Sequence, residues 1–263
     1  MAPHYNHFLA VDPHSVEVVL VSPRNPLNIG AVARAMVNFG FERLTVVAPF
    51  APHWREARSA VGAPELLQNA KESATLAEAV AGCTLVIGTG TLTHRRPEQR
   101  VVPLPATAPL VLAEQDRGGR VALVFGPEKH GLTREDLSWC HLLVQIPTDA
   151  RQPSMNLGQA AAVCLYELAA RAFPDSGAEG AQIRDVEPER APAAPSVSLG
   201  RLADVIEETM TAAGYSPRSM DAANRHDLRL LLRRLAPAER DTRRILGLFR
   251  RILWRLQQNR TGK

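Results

Sequence analysis

Four short stretches hold the side chains that could work together in a reaction. The first runs from Asn28 through Gly30 and Ala31 to Arg34, and the second is Thr89-Gly90-Thr91. The third runs from Phe125-Gly126 through Glu128 to Gly131-Leu132, and the fourth from Ile146-Pro147 to Ser154-Met155-Asn156-Leu157. Together they offer amides, hydroxyls, one carboxylate and one guanidinium. Glycine at 90 and 126 allows a ligand to approach the backbone closely. Such a set suits an adenosine-like ligand held mainly by backbone donors and acceptors.

Other chemistries are excluded by what is missing. Gly126-x-x-x-x-Gly131 has the glycine spacing of a phosphate loop, but Leu132-Thr133 stands where Lys-Ser/Thr is required, so the contact to β/γ-phosphates is lost. Gly88-x-Gly90 lacks the third glycine of a dinucleotide fingerprint. No His, Cys and carboxylate residues share metal-ligand spacing, so no metal is expected. Cys83, Cys140 and Cys164 lie far apart and form no C-x-x-C pair; they read as reduced core residues of a cytosolic protein.

The elements that must carry these stretches follow from hydropathy. Apolar runs at 16–21, 43–48, 84–88, 120–125 and 142–146 read as buried strands, the last stopped by Pro147. Residues 28–40 read as a helix with Asn28 as N-cap, Gly40 at C′, and Ile29, Val32, Ala33, Met36 and Val37 on the buried face. A second helix starts near Asn156, capped by Ser154 or Asn156, with Leu157, Ala160, Ala161, Cys164, Leu165 and Leu168 on one broad face. A helix around 109–115, a short one capped by Thr133 and weaker helical pieces over 53–81 complete the alternation. The expected fold is α/β, a mostly parallel sheet with helices on both faces. The polar stretches then lie at the C-terminal ends of strands, where open α/β sheets collect ligands.

The chain has 263 residues, 45% of them hydrophobic, enough for one α/β core over 1–173 plus a smaller unit. Residues 174–197, with four prolines and two glycines, read as a flexible linker. Helices are expected at 199–213, about 221–235, and 238–258. The net charge of +4 is unevenly spread: residues 198–263 carry 14 Lys+Arg against 7 Asp+Glu, and the rest is near −3. Thirteen of those 14 cations are arginine, the residue that suits bidentate phosphate contact. On the last helix, Arg240, Arg244, Arg251 and Arg255 occupy an arc beside an apolar face of Ile245, Leu248, Phe249, Ile252 and Leu256, which points to a nucleic-acid surface. No apolar run reaches the ~18 residues of a membrane span, and the N-terminus lacks the basic start and apolar run of a signal peptide. A cytoplasmic protein is expected.

The order NxGAxxR (Asn28, Gly30, Ala31, Arg34), FGxExxGL (Phe125, Gly126, Glu128, Gly131, Leu132) and IP…SxNL (Ile146, Pro147, Ser154, Asn156, Leu157) resembles the three motifs of the SPOUT class of RNA 2′-O-methyltransferases. The helical extension after a linker looks like that of the TrmJ type, which methylates the ribose of nucleotide 32 in the tRNA anticodon loop. The resemblance implies S-adenosyl-L-methionine as cofactor, a C-terminal trefoil knot in the α/β domain, and tRNA as substrate. It also implies a homodimer with active sites at the subunit interface, where Arg34 of one chain works near the cofactor of the other. The implied cofactor residues are Thr89, Gly90, Thr91, Gly126, Ile146, Ser154 and Met155. Pro153 stands where relatives often carry a hydroxyl residue. The implied catalytic set is Arg34, Asn28, Glu128, Ser154 and Asn156. The family assigns the base to Arg34; since a guanidinium keeps its proton in proteins, a clamp on the RNA phosphate is the physically easier role. Glu128 orients the site or simply accepts loop backbone donors. Two other readings stay open: a 2′-O-methyltransferase of another tRNA position or of rRNA, and a non-catalytic RNA-binding relative.

Overall fold

The computed structural model describes residues 11–90, 97–170, 193–215 and 221–261. Seven strands form one wholly parallel sheet: β1 (Val16–Val21), β2 (Arg43–Val47), β3 (Lys71–Ser73), β4 (Leu85–Thr89), β5 (Arg100–Pro103), β6 (Val121–Phe125) and β7 (Leu142–Gln145). Their order across the sheet is β3-β2-β1-β6-β4-β7-β5. The five inner strands β2, β1, β6, β4 and β7 are the apolar runs read from the sequence. The outermost strands β3 and β5 were not expected. Each is short and mostly exposed, so neither has the continuous apolar run that marks a strand buried on both faces.

Alternate residues of β1 serve opposite layers. Val18 and Leu20 pack under α1 (Pro26–Asn38), α2 (Pro64–Asn69), α4 (Thr107–Asp116) and α6 (Leu157–Ala170). Val19 and Val21 face the layer of α3 (Leu76–Ala79) and α5 (Arg134–Ser138). Burying each such Val or Leu contributes roughly 1.5–3 kcal/mol. The one acid in β1, Glu17, is 4% exposed and is held by Arg43 Nε at 3.0 Å, Arg120 at 3.7 Å and the Thr45 hydroxyl at 2.5 Å. It stands at the start of β1, the end of the strand away from the polar loops.

One cap differs from expectation. Asn25, not Asn28, caps α1, accepting the Leu27 N–H at 3.0 Å with Pro26 at the first helical position. The Asn-Pro pair was the usable signal, since proline lacks the N–H that the first turn leaves unpaired. Asn28 is thereby left on the first turn with its amide free for other work. At the far end Gly40 has φ +78°, the left-handed geometry expected of C′.

Two close approaches explain the small residues of the first stretch: Ala31 faces Gly158 of α6, and Gly30 faces the 57–60 segment. A Cβ on Gly158 would lie 2.7 Å from Ala31 Cβ, and one on Gly30 would lie 2.8 Å from the Ala60 backbone nitrogen.

The tail forms α7 (Ser196–Ala212), α8 (Asp221–Leu235) and α9 (Glu239–Thr261) around Ala194, Leu199, Leu202, Ala203 and Leu232. Most of the expected linker lies outside the described residues, but its last residues are ordered parts of the packing. Ala194 is fully buried, and the N–H groups of Ser196 and Val197 donate to the carbonyls of Cys83 and Ala81. α7 starts at Ser196, two residues before the expected helical extension, where those backbone bonds dock it. The three cysteines are free and buried, and burial first of all pushes each thiol up to about 12, so none is poised to react. No helix among the described residues is long and apolar enough to cross a membrane.

Candidate active site at the C-terminal edge of the sheet

The end of β4 with Gly90, and the loops after β6 and β7, line a cavity of about 500 Å³. Thr89, Gly90, Gly126, Ile146, Ser154 and Met155 all line it; Thr91 lies outside the described residues. The sequence reading missed Gln145, Thr148, Leu157, Ala160 and the Lys129–Gly131 stretch as lining residues. Nothing in their types sets them apart; the end of β7, the loops after β6 and β7 and the first turn of α6 converge to bring them together. Pro153 also lines the cavity, and its carbonyl accepts the Thr148 hydroxyl at 3.2 Å. The Thr89 hydroxyl donates to the Val124 carbonyl at 3.0 Å, tying the C-terminal ends of β4 and β6 together.

The two glycines expected to admit a ligand behave differently. Among the described residues, a Cβ at Gly90 meets nothing within 4 Å, so none of them fills the space above it. A Cβ at Gly126 would collide with the backbone of Gly131 and Leu132. Gly126 is glycine because its own loop folds back on it, while it still lines the cavity.

A hydrogen-bond chain joins the three motif stretches beside the cavity. Asn156 caps α6, its Oδ1 accepting the Gly158 N–H at 2.9 Å, which settles the choice between Ser154 and Asn156. Its Nδ2 donates to Asn28 Oδ1 at 2.9 Å. Asn28 Nδ2 in turn donates to Glu128 Oε1 at 2.8 Å. The Glu128 carboxylate also accepts the backbone N–H groups of Asn25 at 3.1 Å and Arg24 at 3.0 Å. Partial burial pushes the Glu128 carboxyl up, but the bonds from Asn28 and from backbone N–H groups outweigh it and hold it below the usual carboxylate range. Glu128 is thus an ionised anchor for the loop after β1, as well as part of the cavity wall.

Arg34 does not reach this cavity within one chain. It is exposed on α1, seven residues beyond Leu27 and three before Val37, which are 54% and 47% exposed. Beside them on α6, Val163 and Tyr166 are also open to solvent. Asn28 and Asn156 sit behind the wall without lining it.

The tail arginines divide into two groups. Arg240, Arg244, Arg251 and Arg255 are all exposed on α9, with Arg251 over the ring of Trp254 at 5.0 Å. On α8, Arg229 pairs with Glu135 and lies 4.3 Å from the Trp139 ring centroid, while Arg233 donates to the Trp139 carbonyl at 2.8 Å. Glu98, His226 and Asp227 come close enough to share a cation, but Arg134 already donates to His226 Nε2 at 3.2 Å and faces Glu98 at 3.4 Å.

Residues 15–166 match the model of the SpoU rRNA methylase family. A tRNA (cytidine/uridine-2′-O-)-methyltransferase TrmJ of Klebsiella pneumoniae is 34% identical over 254 residues, covering 95% of this chain and 99% of that protein. A Pseudomonas aeruginosa TrmJ, named as a cytidine/uridine/adenosine enzyme, is 41% identical over 154 residues, 58% of this chain and 60% of that one. The crystal structure of TrmJ from Z. mobilis superposes with a TM-score of 0.74 at 29% identity, covering 90% of this chain and 98% of that one. With the motif loops drawn together around one cavity and the likeness running through the tail, the chain belongs to the SpoU methylase family and, within it, to the TrmJ group of tRNA 2′-O-methyltransferases.

Proposed function

We propose that this chain transfers a methyl group from S-adenosyl-L-methionine to the ribose 2′-hydroxyl of tRNA, at the pyrimidine of nucleotide 32 in the anticodon loop. The observation that carries the reading is the Asn156–Asn28–Glu128 chain, which binds all three motif loops into one frame beside a cavity of fitting size.

The residues present fit an adenosine-bearing cofactor. Ile146, Met155, Leu157 and Ala160 offer an apolar wall, and the space that the described residues leave at Gly90 admits a ligand against the backbone. When bound, the cofactor supplies the electrophilic methyl group. Thr89, Gly90, Thr91, Gly126, Ile146, Ser154 and Met155 form the proposed cofactor site. The protein must place the hydroxyl in line and keep water out. Asn28, Glu128 and Asn156 hold the loops to that geometry, and Ser154, exposed at the cavity rim, is available to the ribose. Arg34 clamps the RNA phosphate and orients the hydroxyl.

For Arg34 to act, a second subunit is needed. The open apolar face of Leu27, Val37, Val163 and Tyr166 around Arg34 supports a homodimer in which each Arg34 serves the partner's cavity. The exposed arginines of α9 supply the tRNA surface, so residues 1–173 are the methyltransferase domain and 198–263 the RNA-binding extension. β7 lies between β4 and β5, which supports the knotted crossing that the family implies. The reaction belongs to the cytoplasm, and no metal takes part. The adenosine in the name of the Pseudomonas relative favours keeping a second reading, methylation of a purine at the target.

The test is methyl transfer to total tRNA and to rRNA in parallel, with the product nucleoside mapped by mass spectrometry. A single 2′-O-methylated pyrimidine at nucleotide 32 is expected; transfer only to rRNA overturns the substrate. Arg34→Ala should lower transfer by about 100-fold or more while the melting rise given by the cofactor persists. Near-normal turnover would remove Arg34 from the mechanism.

A further inference from the structure

Phe50 is 74% exposed, and the Arg24 guanidinium lies over its ring, 5.4 Å from the centroid. An isolated exposed aromatic would need no explanation. Here several features hold the pair in place. The loop after β1 and the loop after β2 are stitched together: Ser22 N–H donates to the Val47 carbonyl at 2.8 Å, and Phe50 N–H to the Pro23 carbonyl at 3.2 Å. Ser22 and Ala48, neither a glycine, adopt φ +44° and +42°, and Ala48 N–H donates to the Ser73 carbonyl at 2.9 Å. Left-handed geometry at two such residues is unfavourable and persists only where surrounding bonds hold it, so the two loops keep a fixed shape that sets the position of the pair. The Arg24 backbone N–H is bonded to Glu128, a residue of the cavity wall, so the pair stands one hydrogen bond from the reaction cavity.

A planar ring backed by a guanidinium, open to solvent and beside a site that handles a nucleotide, has the chemistry of a base-stacking platform. The ring takes a base on its face, and the arginine adds cation–π and phosphate contact. We propose that Phe50 and Arg24 form a stacking pad for an unpaired nucleotide of the substrate RNA next to the methylated ribose. This rests on the reading of the cavity as an RNA 2′-O-methyltransferase site. It adds a single-strand requirement: a paired base cannot offer its face, so a loop nucleotide is selected over a stem nucleotide.

The experiment compares Phe50→Ala, Phe50→Leu and Phe50→Trp in the full chain, with Arg24→Ala as a fourth variant. Filter binding of unmodified total tRNA is measured beside steady-state kinetics, and cofactor affinity beside both. Because Phe50 is exposed, the variants should melt with wild-type protein. Phe50→Ala should weaken tRNA binding by roughly 5- to 100-fold, with the loss in KM for tRNA rather than in kcat or cofactor affinity. Phe50→Trp should restore it, whereas Phe50→Leu, apolar but not planar, should not. Arg24→Ala should weaken binding in the same sense. Binding of Phe50→Ala within about twofold of wild type overturns the pad. So does equal rescue by leucine, or a change of oligomeric state in Phe50→Ala, which would make the ring a subunit contact. If wild-type protein transfers no methyl group to RNA, the reading of the cavity fails, and filter binding still decides the pad.

Discussion

Helices α8 and α9 are both rich in arginine, and by composition alone they are interchangeable. In three dimensions they are opposites. Arg225 on α8 makes a two-pronged pair with Glu207, at 2.6 and 3.1 Å, and Arg229 and Arg233 are 7% and 3% exposed against Glu135 and Trp139. On α9, Arg240, Arg244, Arg251 and Arg255 face solvent. A guanidinium paired with a carboxylate or packed on an indole is less free to displace counterions from RNA. Arg229 and Arg233 fasten the tail to the methyltransferase domain, Arg225 braces α8 against α7, and the exposed α9 arginines remain for the polyanion. Arginine content therefore measures neither function until each cation's partner is known.

The largest effect should come from the exposed set. Replacing Arg240, Arg244, Arg251 and Arg255 together by glutamine should cut tRNA affinity by about 100-fold at low salt and flatten the slope of log Kd against log salt by about 3, with little change in melting. An unchanged slope, measured by filter binding across a salt series, would move the RNA surface elsewhere and break the contrast.

The docking set should give the converse. Arg229→Ala with Arg233→Ala should leave that salt slope within about 1 unit of wild type yet cost about 2–4 kcal/mol of stability, since the dock loses the pairing with Glu135, the bond to the Trp139 carbonyl and both guanidinium contacts with the Trp139 ring. Denaturant unfolding measures the loss, and a wild-type midpoint would show that α8 is held by its apolar face alone.

The smallest effect is a pH dependence. His141 lies against the same dock: its Nδ1 accepts the Val86 N–H at 3.0 Å, and burial, then the Arg233 guanidinium, push it down to about 3. Its pKa in the folded state is thus below the unfolded value of 6.5. Between those limits the unfolded chain binds the extra proton, so stability is full above pH 6.5 and is lost as pH falls toward 3. Melting temperature across that window should fall less steeply in His141→Gln than in wild type; parallel curves would mean that the imidazole stays wet.

Much of the catalytic domain was legible because burial writes itself into local sequence. β1, β6, β4 and β7 are covered on both faces, so they appear as unbroken apolar runs, and the α6 face repeats at the helical period. β3 and β5 were missed because an exposed edge strand has no such requirement. Asn28 was misread as a cap because asparagine suits both a cap and a network; the competing Asn25-Pro26 start is decided by which amide the helix places near Glu128.

What the amino-acid order determined by itself is the alternation of strand and helix, the three polar motif stretches at strand ends, and the basic bias of the tail. Those depend on hydropathy period, turn residues and charge, which act over a few residues. The partners were decided only by tertiary structure. Asn28 meets Asn156 across 128 residues, Arg24 meets Glu128 across 104, and Arg229 meets Glu135 across 94. A hydrogen bond or ion pair between such residues depends on the path of the whole chain, and no local pattern encodes its direction. The motif residues could therefore be named from the sequence, while their division into cavity wall, loop anchor and exposed arginine had to wait for the fold.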